Sequence, residues 1–493
     1  MFNIVRVLLF GGIIGKALAI VRELLSAWLF GTATVASAYR MAQSAFLIPL
    51  NGFVSDALNA GFMPRFAQNR PNAFDKSITL FAGLHAVLLA ISSFAALGLI
   101  VFAKQWIAIL APGFDASTAH LAAGMLQIMA LSLPPFVLTG LYASAELVRG
   151  RGDLAAARAS IQSTGLILGT VTAWWTHQPY LIPVGISLSQ FVLAYRGIVS
   201  ARTDGLRFWP RRSELALVRS ELQCVWLAFR LLVWVPALMQ VHFIVERRVA
   251  SLVGKQAVVA LDYARFITET LVLLTAVPFG LAGLSVMSTM SAEAFLEASR
   301  RSLRALIYLG VPLSTMIAVH ADLIVKHVFM RGAFDAHSAA VTSTILAGIA
   351  AGLWIQLPGY AGGKFLNARG QNGALLIVVA SGVGCNIAVN LLGYRILGPV
   401  TLGIGSACNS LVFGTLVLWR VGVLRLLGRD IAGLAAAAAG YVMVWQFAPR
   451  ALHSNLFAVV PIAAIYWAVA TFGVPRHRRA LYEALGTLRT RDV

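Results

Sequence analysis

The chain has 493 residues, of which 59% are hydrophobic and only 12% are charged. A soluble domain needs a larger charged surface than this composition supplies, so a soluble globular protein is excluded. Lysine and arginine outnumber aspartate and glutamate by 39 to 19. The basic residues lie in short clusters between apolar runs, which is typical of membrane topology signals and argues against a nucleic-acid-binding patch.

Apolar runs of about 20 residues, the length that crosses a bilayer, recur along the whole chain. Together with the turn signals between them, they predict an all-α integral membrane fold with fourteen transmembrane helices. The first run is expected to remain as a helix, because Lys16, Arg22 and Glu23 interrupt it and no convincing signal-peptide cleavage site follows. The predicted spans are 4–30, 36–62, 77–103, 118–147, 156–176, 181–200, 223–249, 258–290, 303–328, 338–363, 374–394, 401–419, 430–448 and 455–474.

Basic residues alternate between successive loops, which supports this number of spans. One set of loops holds most of the arginines, and the other set is nearly bare apart from Arg247, Arg248 and Lys255. By the positive-inside rule, the basic loops and both termini are cytoplasmic. The basic set includes Arg149, Arg151 and Arg158, the arginines of segment 202–219, and Arg300, Arg301 and Arg304.

An internal repeat is visible at an offset of 220 residues. Phe114-Asp115-Ala116 matches Phe334-Asp335-Ala336, and Arg149-Gly150 matches Arg369-Gly370. The repeat predicts a six-helix lobe in 1–215, a second in 216–425, and two extra helices with a basic cytoplasmic tail in 426–493. Because an even number of helices separates equivalent loops, the repeat is parallel, and transporters built this way bind substrate between their halves.

Ionisable residues inside predicted spans mark candidate functional positions, because each costs at least about 2.5 to 3.5 kcal/mol at a helix centre. One interpretation is that they form ion pairs between or along helices, as Arg265 and Glu269 could at i, i+4. The other is a cation-lined cavity for an anionic substrate, for which the planar fork of arginine suits phosphate oxygens. The candidates are Lys16, Arg22, Arg40 and Arg265 for substrate binding, and Glu23, Asp56 and Glu269 for coupling or ion pairing.

Proline and glycine interrupt two spans that correspond in the repeat. Pro49 and Gly52 fall in the second span, and Pro278 and Gly280 fall in the eighth. Broken backbone at membrane depth is tolerated where it is buried or lines a cavity, so these positions are candidate hinges. Packing kinks without a function are the alternative.

No enzyme motif is present, and no cofactor or metal is expected. The segment 359–365 resembles a phosphate-binding loop but has the wrong glycine spacing and Phe365 in place of the metal-binding hydroxyl. Cys224, Cys385 and Cys408 are expected to be small core residues. Energy would then come from an ion gradient or from the gradient of the substrate itself.

The whole chain resembles the MurJ/MviN family of lipid II flippases, within the superfamily of drug/sodium antiporters and polysaccharide exporters. Each matching motif is short, but their order and spacing extend over most of the chain. The motifs are Val21-Arg22-Glu23, Leu29-Phe30-Gly31, Gly61-Phe62-Met63-Pro64, Ala111-Pro112-Gly113-Phe114, Tyr263-Ala264-Arg265 and Arg331-Gly332-Ala333-Phe334.

The resemblance implies a V-shaped pair of six-helix lobes around a cationic cavity that opens alternately to each side of a bacterial inner membrane. The family's cavity arginines fall at Lys16, Arg22 and Arg265, and Glu269 lies near its eighth-helix acid. Helices thirteen and fourteen would hold the lipid tail, and the small-residue run 435–440 would form a groove or, alternatively, a close helix contact. The implied partners are a polyprenyl-diphosphate-linked sugar, membrane lipids and cell-envelope biosynthesis enzymes.

The sequence also departs from the family pattern. Ser37 replaces an acid, and Leu50 and Asn51 replace paired arginines. An exopolysaccharide repeat unit is therefore an alternative to lipid II as substrate. A small-molecule or cation antiporter, coupled through Asp56, is a second alternative, and short extracytoplasmic loops argue against a membrane glycosyltransferase.

Overall fold

A computed structural model describes residues 2–48, 58, 62–72, 74–229, 234–287, 290–449, 452, 455–475, 477–478 and 482. Over these residues the chain is helical and contains no strand, so the predicted all-α class is confirmed. A short 3-10 helix, Arg212–Glu214, precedes α10. The α-helices are α1 (Phe2–Phe30), α2 (Thr34–Leu47), α3 (Met63–Asn72), α4 (Phe74–Val101), α5 (Ala103–Leu110), α6 (Ala116–Ala130), α7 (Leu133–Val148), α8 (Asp153–Thr176), α9 (Leu181–Thr203), α10 (Leu215–Phe229), α11 (Trp234–Val253), α12 (Lys255–Met287), α13 (Ala292–Val319), α14 (Ala321–Phe329), α15 (Ala336–Ala351), α16 (Leu353–Ala368), α17 (Asn372–Leu397), α18 (Val400–Val421), α19 (Leu424–Gln446) and α20 (Leu456–Phe472).

Seven helices in the described residues are long and apolar enough to cross a membrane, and the number is nine if each of two bent helix pairs is one span. The predicted count of fourteen is therefore not confirmed. Three predicted spans, 36–62, 223–249 and 258–290, include residues outside the described part of the chain. Predicted span 303–328 is divided between α13 and α14.

The two bent pairs express the sequence repeat in three dimensions. Helices α6 and α7 meet at 45°, and α15 and α16, which begin 220 residues later, meet at 53°. Asp115 caps α6 by accepting a hydrogen bond from the Thr118 N–H at 3.2 Å, and Asp335 caps α15 through the Ser338 N–H at 2.8 Å. These caps satisfy backbone donors that would otherwise be left without partners at the helix starts.

The chain divides into two compact units, one of residues 1–258 with 331–334 and one of residues 259–330 with 335–493. The predicted boundaries after residues 215 and 425 stay predictions. Residues 331–334 join the first unit because the Ala333 N–H donates to the Trp28 carbonyl at 2.8 Å. Gly31 has a φ of +55°, and a Cβ there would lie 2.3 Å from the Ala333 oxygen, so this close approach requires glycine.

In the first unit, α1 packs along α8 through small residues. A Cβ on Gly11 would lie 2.5 Å from Ala156 Cβ, and a Cβ on Gly15 would lie 2.6 Å from Ala159 Cβ. Small residues four apart let two backbones approach closely, which supplies van der Waals packing where lipid gives little hydrophobic driving force. The increasing order of both contacts shows that α1 and α8 run side by side in the same direction.

In the second unit, α19 is tied to α13 by a buried ion pair. Arg304 Nε donates to Asp430 Oδ2 at 3.0 Å, and the Tyr308 hydroxyl donates to Asp430 Oδ1 at 3.4 Å. Further along the same two helices, His320 Nε2 lies 2.7 Å from the Tyr441 hydroxyl. Buried charged and polar groups are stable here because each finds a partner.

The predicted interruption at Pro278 is wrong. Helix α12 continues from Lys255 to Met287 with Pro278 inside it. Proline removes one N–H donor, but unwinding the helix would leave further backbone groups without partners in an apolar environment. The predicted interruption at Pro49 and Gly52 lies outside the described residues.

Candidate functional site

Three charged side chains of the first unit form one cluster around Glu23 on α1. Glu23 Oε1 accepts hydrogen bonds from Arg22 Nη2 at 2.7 Å and Nε at 3.2 Å. Glu23 Oε2 accepts from Arg40 Nη2. The side chains of Glu23 and Arg40 are 4% and 9% exposed, whereas that of Arg22 is 23% exposed. Arg22 is therefore the member of the cluster most open to a ligand.

The cluster exists because α1 and α2 are joined by a short turn. Gly31 is in the left-handed conformation after α1, and α2 begins at Thr34. The turn brings Arg40, in the second turn of α2, back to the level of Glu23 near the end of α1. The face of the Tyr39 ring lies 5.8 Å from the Arg40 guanidinium and adds a cation–π contact.

The electrostatics of the cluster favour an anion. Two guanidinium groups share one carboxylate, so the three side chains carry a net positive charge, and Lys16 lies half-buried two turns before Glu23. A guanidinium holds its donors in a fixed planar fork that fits two phosphate oxygens at once. The arrangement can hold a phosphate or diphosphate group while Glu23 keeps the cations in place.

The other predicted binding residues lie elsewhere or outside the described chain. Arg265 is half-buried and Glu269 exposed on α12, both in the second unit, and their roles stay predictions. Asp56 lies outside the described residues. Gly280 packs against α16, since a Cβ there would lie 3.1 Å from Lys364 Cγ, and its role as a hinge stays a prediction.

Ser37, which stands where the family has an acid, has a structural role. Its hydroxyl donates to the Thr32 carbonyl at 3.2 Å and to the Lys255 carbonyl at 2.9 Å, and its side chain is fully buried. An acid could not make these two contacts when ionised, because a carboxylate only accepts hydrogen bonds.

Some buried charges were missed or misplaced by the sequence reasoning. Glu246 on α11 is fully buried, with His242 one turn before it at 6% exposure. The sequence signal was present, since Glu246 falls inside predicted span 223–249. Arg304 was counted among loop arginines, but it lies on α13 and pairs with Asp430.

The second unit contains an apolar cavity of about 350 Å³ between α13, α16 and α19. Its α19 wall comes from the small-residue run, through Ala435, Ala438 and Ala439. Ala437 belongs to a different face, where its carbonyl accepts a hydrogen bond from the Tyr466 hydroxyl at 2.7 Å. The run therefore lines the cavity on one side and packs against α20 on the other, and its role as a groove for a lipid tail stays a prediction.

In the described residues, no group of three or more His, Cys, Asp or Glu side chains could hold a metal ion. The features that stand out are the cationic cluster in one helical unit and the apolar cavity in the other, in a membrane protein with a repeated helix order. A repeated helix order with charged side chains inside apolar helices is typical of membrane transporters.

The family described as "Lipid II flippase MurJ" matches residues 26–471, and the chain belongs to this family. The family is one of transporters, so the resemblance found in the sequence motifs and the prediction that the chain is not an enzyme are confirmed.

Curated relatives agree with the family assignment. The chain is 26% identical to a "Probable lipid II flippase MurJ" of Synechocystis sp. (strain ATCC 27184 / PCC 6803 / Kazusa), covering 96% of this chain and 94% of the relative. It is also 26% identical to a protein of the same name from Rhizobium meliloti (strain 1021), covering 94% and 92% respectively.

Solved structures share the fold. A lipid II flippase MurJ in an inward closed conformation superposes with a TM-score of 0.79 at 16% identity, covering 97% of this chain and 99% of that one. An inward-facing multidrug resistance MATE family transporter of the MOP superfamily gives a TM-score of 0.63 at 15% identity, covering 83% and 95%. At these identities the likeness shows the fold alone.

Proposed function

We propose that this chain moves lipid II, a polyprenyl-diphosphate-linked glycan, from the cytoplasmic to the periplasmic leaflet of a bacterial inner membrane by alternating access. Membership of the lipid II flippase family supports the substrate class. The observation that carries the proposal within this chain is the cluster of Arg22 and Arg40 around Glu23, with its net positive charge inside a helical bundle.

In this proposal the diphosphate is the part of the substrate that the cluster binds. Arg22 is the contact residue because its guanidinium is the more exposed, and Arg40 supplies a second positive charge from α2. Glu23 holds both cations at a fixed spacing without ligand, which lowers the cost of ordering them when the diphosphate arrives. Lys16 on the same helix adds a further charge for the anion.

A second part of the proposal is that the apolar cavity beside α19, within the second unit, binds a segment of an isoprenoid chain. The cavity volume of about 350 Å³ lies within the range of small-molecule pockets. Ser314 and Thr315 also line it, but the Ser314 hydroxyl donates to the Ala350 carbonyl and the Thr315 hydroxyl to the Val311 carbonyl at 2.8 Å. Because these hydroxyls are already bonded, the wall they present is effectively apolar, which suits an isoprenoid chain.

The proposed topology places the basic loops and both termini in the cytoplasm. In the linker 204–214, Glu214 accepts hydrogen bonds from the Arg211 N–H at 3.0 Å and from Arg207 Nη2 at 2.9 Å. These hydrogen bonds lower the pKa of the Glu214 carboxyl group. In a variant without native cysteines, Ser213→Cys should resist a membrane-impermeant thiol reagent added to intact spheroplasts, whereas His177→Cys, in the loop before α9, should react. The reverse labelling would contradict this topology.

The test of the function is transport of fluorescent lipid II in proteoliposomes. Wild type should move it, and Arg22→Ala and Arg40→Ala should each slow transport at least tenfold while the protein remains folded. Arg22→Lys should retain partial activity, since it keeps the charge but loses the fork. Arg395→Ala is a matched control, because Arg395 contacts only the neighbouring Tyr394 among the described residues.

Wild-type rates in both alanine variants would contradict the proposed diphosphate site. Transport of an undecaprenyl-diphosphate-linked exopolysaccharide repeat in preference to lipid II would favour the alternative substrate. Transport of small organic cations without either lipid would favour an antiporter.

A further inference from the structure

Arg158 on α8 is a half-buried cation that the function proposed above does not use. Its guanidinium lies 4.9 Å from the centre of the Phe136 ring on α7, so the side chain turns towards its own bundle. No hydrogen bond or ion pair joins Arg158 to another residue in the described part of the chain. A guanidinium has five N–H donors. An aromatic face stabilises its positive charge but leaves most of these donors without a hydrogen-bond acceptor.

Its level in the membrane follows from the packing of α1 on α8. Ala156 and Ala159 of α8 contact Gly11 and Gly15 of α1, so Arg158 lies level with the stretch between these glycines. At a rise of about 1.5 Å per residue, Arg22 lies roughly 12 Å further along the common direction of the two helices. With the N-terminus in the cytoplasm, Arg158 is on the cytoplasmic side of the Arg22 cluster.

Two aromatic rings, the half-buried Phe136 and the buried Phe46, bridge this distance on the neighbouring helices. Phe136 is in edge-to-face contact with Phe46 of α2 at 5.7 Å between ring centres. Phe46 is two turns beyond Arg40 on the same helix. Arg158 and the cluster therefore belong to one connected group of four helices, α1, α2, α7 and α8, rather than to separate surfaces.

The repeat shows that the fold itself does not need a cation at this position. Helix α17 is the counterpart of α8, and the residues equivalent to Arg158 at offsets of 219 or 220 are Ile377 and Val378. Since an apolar residue suffices there, the cost of placing a half-buried charge at Arg158 points to an anionic ligand.

We propose that Arg158 is a second diphosphate-binding residue, which receives the anionic part of the lipid from the cytoplasmic side before the Arg22 cluster binds it. This inference rests on the proposed function and adds a loading position to it. The Phe136 ring holds the guanidinium in place, so that its donors are already oriented when the diphosphate enters. The ligand chemistry is a diphosphate on a lipid chain, and the sugar is not required.

The test measures binding to the purified full-length chain in lipid nanodiscs, with undecaprenyl diphosphate and undecaprenyl monophosphate as probes. Arg158→Met keeps an unbranched side chain that can pack on the ring, but it removes the charge and the donors. We expect it to weaken undecaprenyl diphosphate binding about tenfold, the loss of one good charged contact, with a thermal unfolding temperature close to wild type. The matched control is Arg420→Met, since Arg420 lies 4.9 Å from the Trp419 ring and should leave binding unchanged.

The outcomes separate the two proposals. If wild type itself does not bind undecaprenyl diphosphate, the proposed function fails. A second outcome is that wild type binds undecaprenyl diphosphate, with weaker binding in Arg22→Met and unchanged binding in Arg158→Met. That result refutes the loading position alone, and Arg158 is then a packing residue. If Arg158→Met does not fold, Arg158→Lys takes its place. Reduced preference for diphosphate over monophosphate in that variant supports the proposal, and an unchanged preference overturns it.

Discussion

Glu23→Gln tests whether the acid holds the two arginines in place. The carboxylate accepts hydrogen bonds from Arg22 Nε, Arg22 Nη2 and Arg40 Nη2, and its side chain is 4% exposed. Glutamine has nearly the same shape but no charge, so it removes the carboxylate that the buried Arg40 and the partly exposed Arg22 share. Removing one partner from a buried ion pair costs about 3 to 5 kcal/mol. Because Arg22 is partly exposed, we expect the lower end, about 3 kcal/mol.

The measurement is unfolding of the purified protein in mixed micelles, analysed as a double-mutant cycle. Arg40→Gln alone leaves the acid with one cation, and the double variant Glu23→Gln, Arg40→Gln should recover about 1 to 3 kcal/mol relative to the sum of the single changes. Glu297→Gln is the matched control, since Glu297 pairs with Arg300 and Arg301 but its side chain is 45% exposed. Its loss should cost less than about 1 kcal/mol.

The Glu23→Gln substitution should also change ligand binding. Without Glu23 the cluster gains one positive charge but loses the group that orders its two guanidinium groups, so undecaprenyl diphosphate should bind more weakly than to wild type. Wild-type stability in Glu23→Gln, or additive effects in the cycle, would refute the shared ion pair. Undiminished diphosphate binding in a folded Glu23→Gln protein would refute the positioning role of the acid.

Three further predictions concern other parts of the molecule. Ala438→Trp should slow transport of long-chain lipid II more than transport of a short-chain analogue. Ala436 is exposed and outside the cavity lining, so Ala436→Trp should show no such difference between the two substrates. Equal losses of transport for the long-chain and short-chain substrates in Ala438→Trp would favour packing over a tail site. Asp430→Asn should cost about 3 kcal/mol because its pair with α13 is buried, whereas Asp322→Asn, in an exposed pair, should cost under about 1, as denaturant unfolding would show. Asp335→Ala should cost about 1 kcal/mol at neutral pH. Hydrogen bonds from the Ser338 hydroxyl and N–H lower the pKa of Asp335 in the folded protein. The stability that Asp335 contributes is therefore fully present above its pKa in the unfolded chain and is lost as the pH falls through its lower pKa in the folded protein. A difference in unfolding free energy between Asp335→Ala and wild type that does not change with pH would contradict this.

Membrane class, the helical fold and family membership could be predicted from the sequence because they depend on properties that are local or repeated. Apolar runs report lipid contact directly, and Asp115 and Asp335 mark equivalent helix starts through their own nearby backbone. Arg22 and Glu23 are adjacent in the chain, so an ion pair between them could be predicted from the sequence. Arg158, in contrast, looked like one more topology signal, and only its position over Phe136 distinguishes it.

The tertiary structure decided which distant residues meet. Glu23 acquires Arg40 from another helix, and Arg304, which the sequence placed in a loop, acquires Asp430 from 126 residues away. The basic residues that departed from the alternation of basic loops also find partners far along the chain. Arg248 Nη1, for example, donates to the Ile109 carbonyl at 2.8 Å. A sequence shows that a charge must be compensated, because burial is costly for any ion. Which partner compensates it depends on how helices pack, and packing is set by shape complementarity over whole helix faces, which no short motif contains.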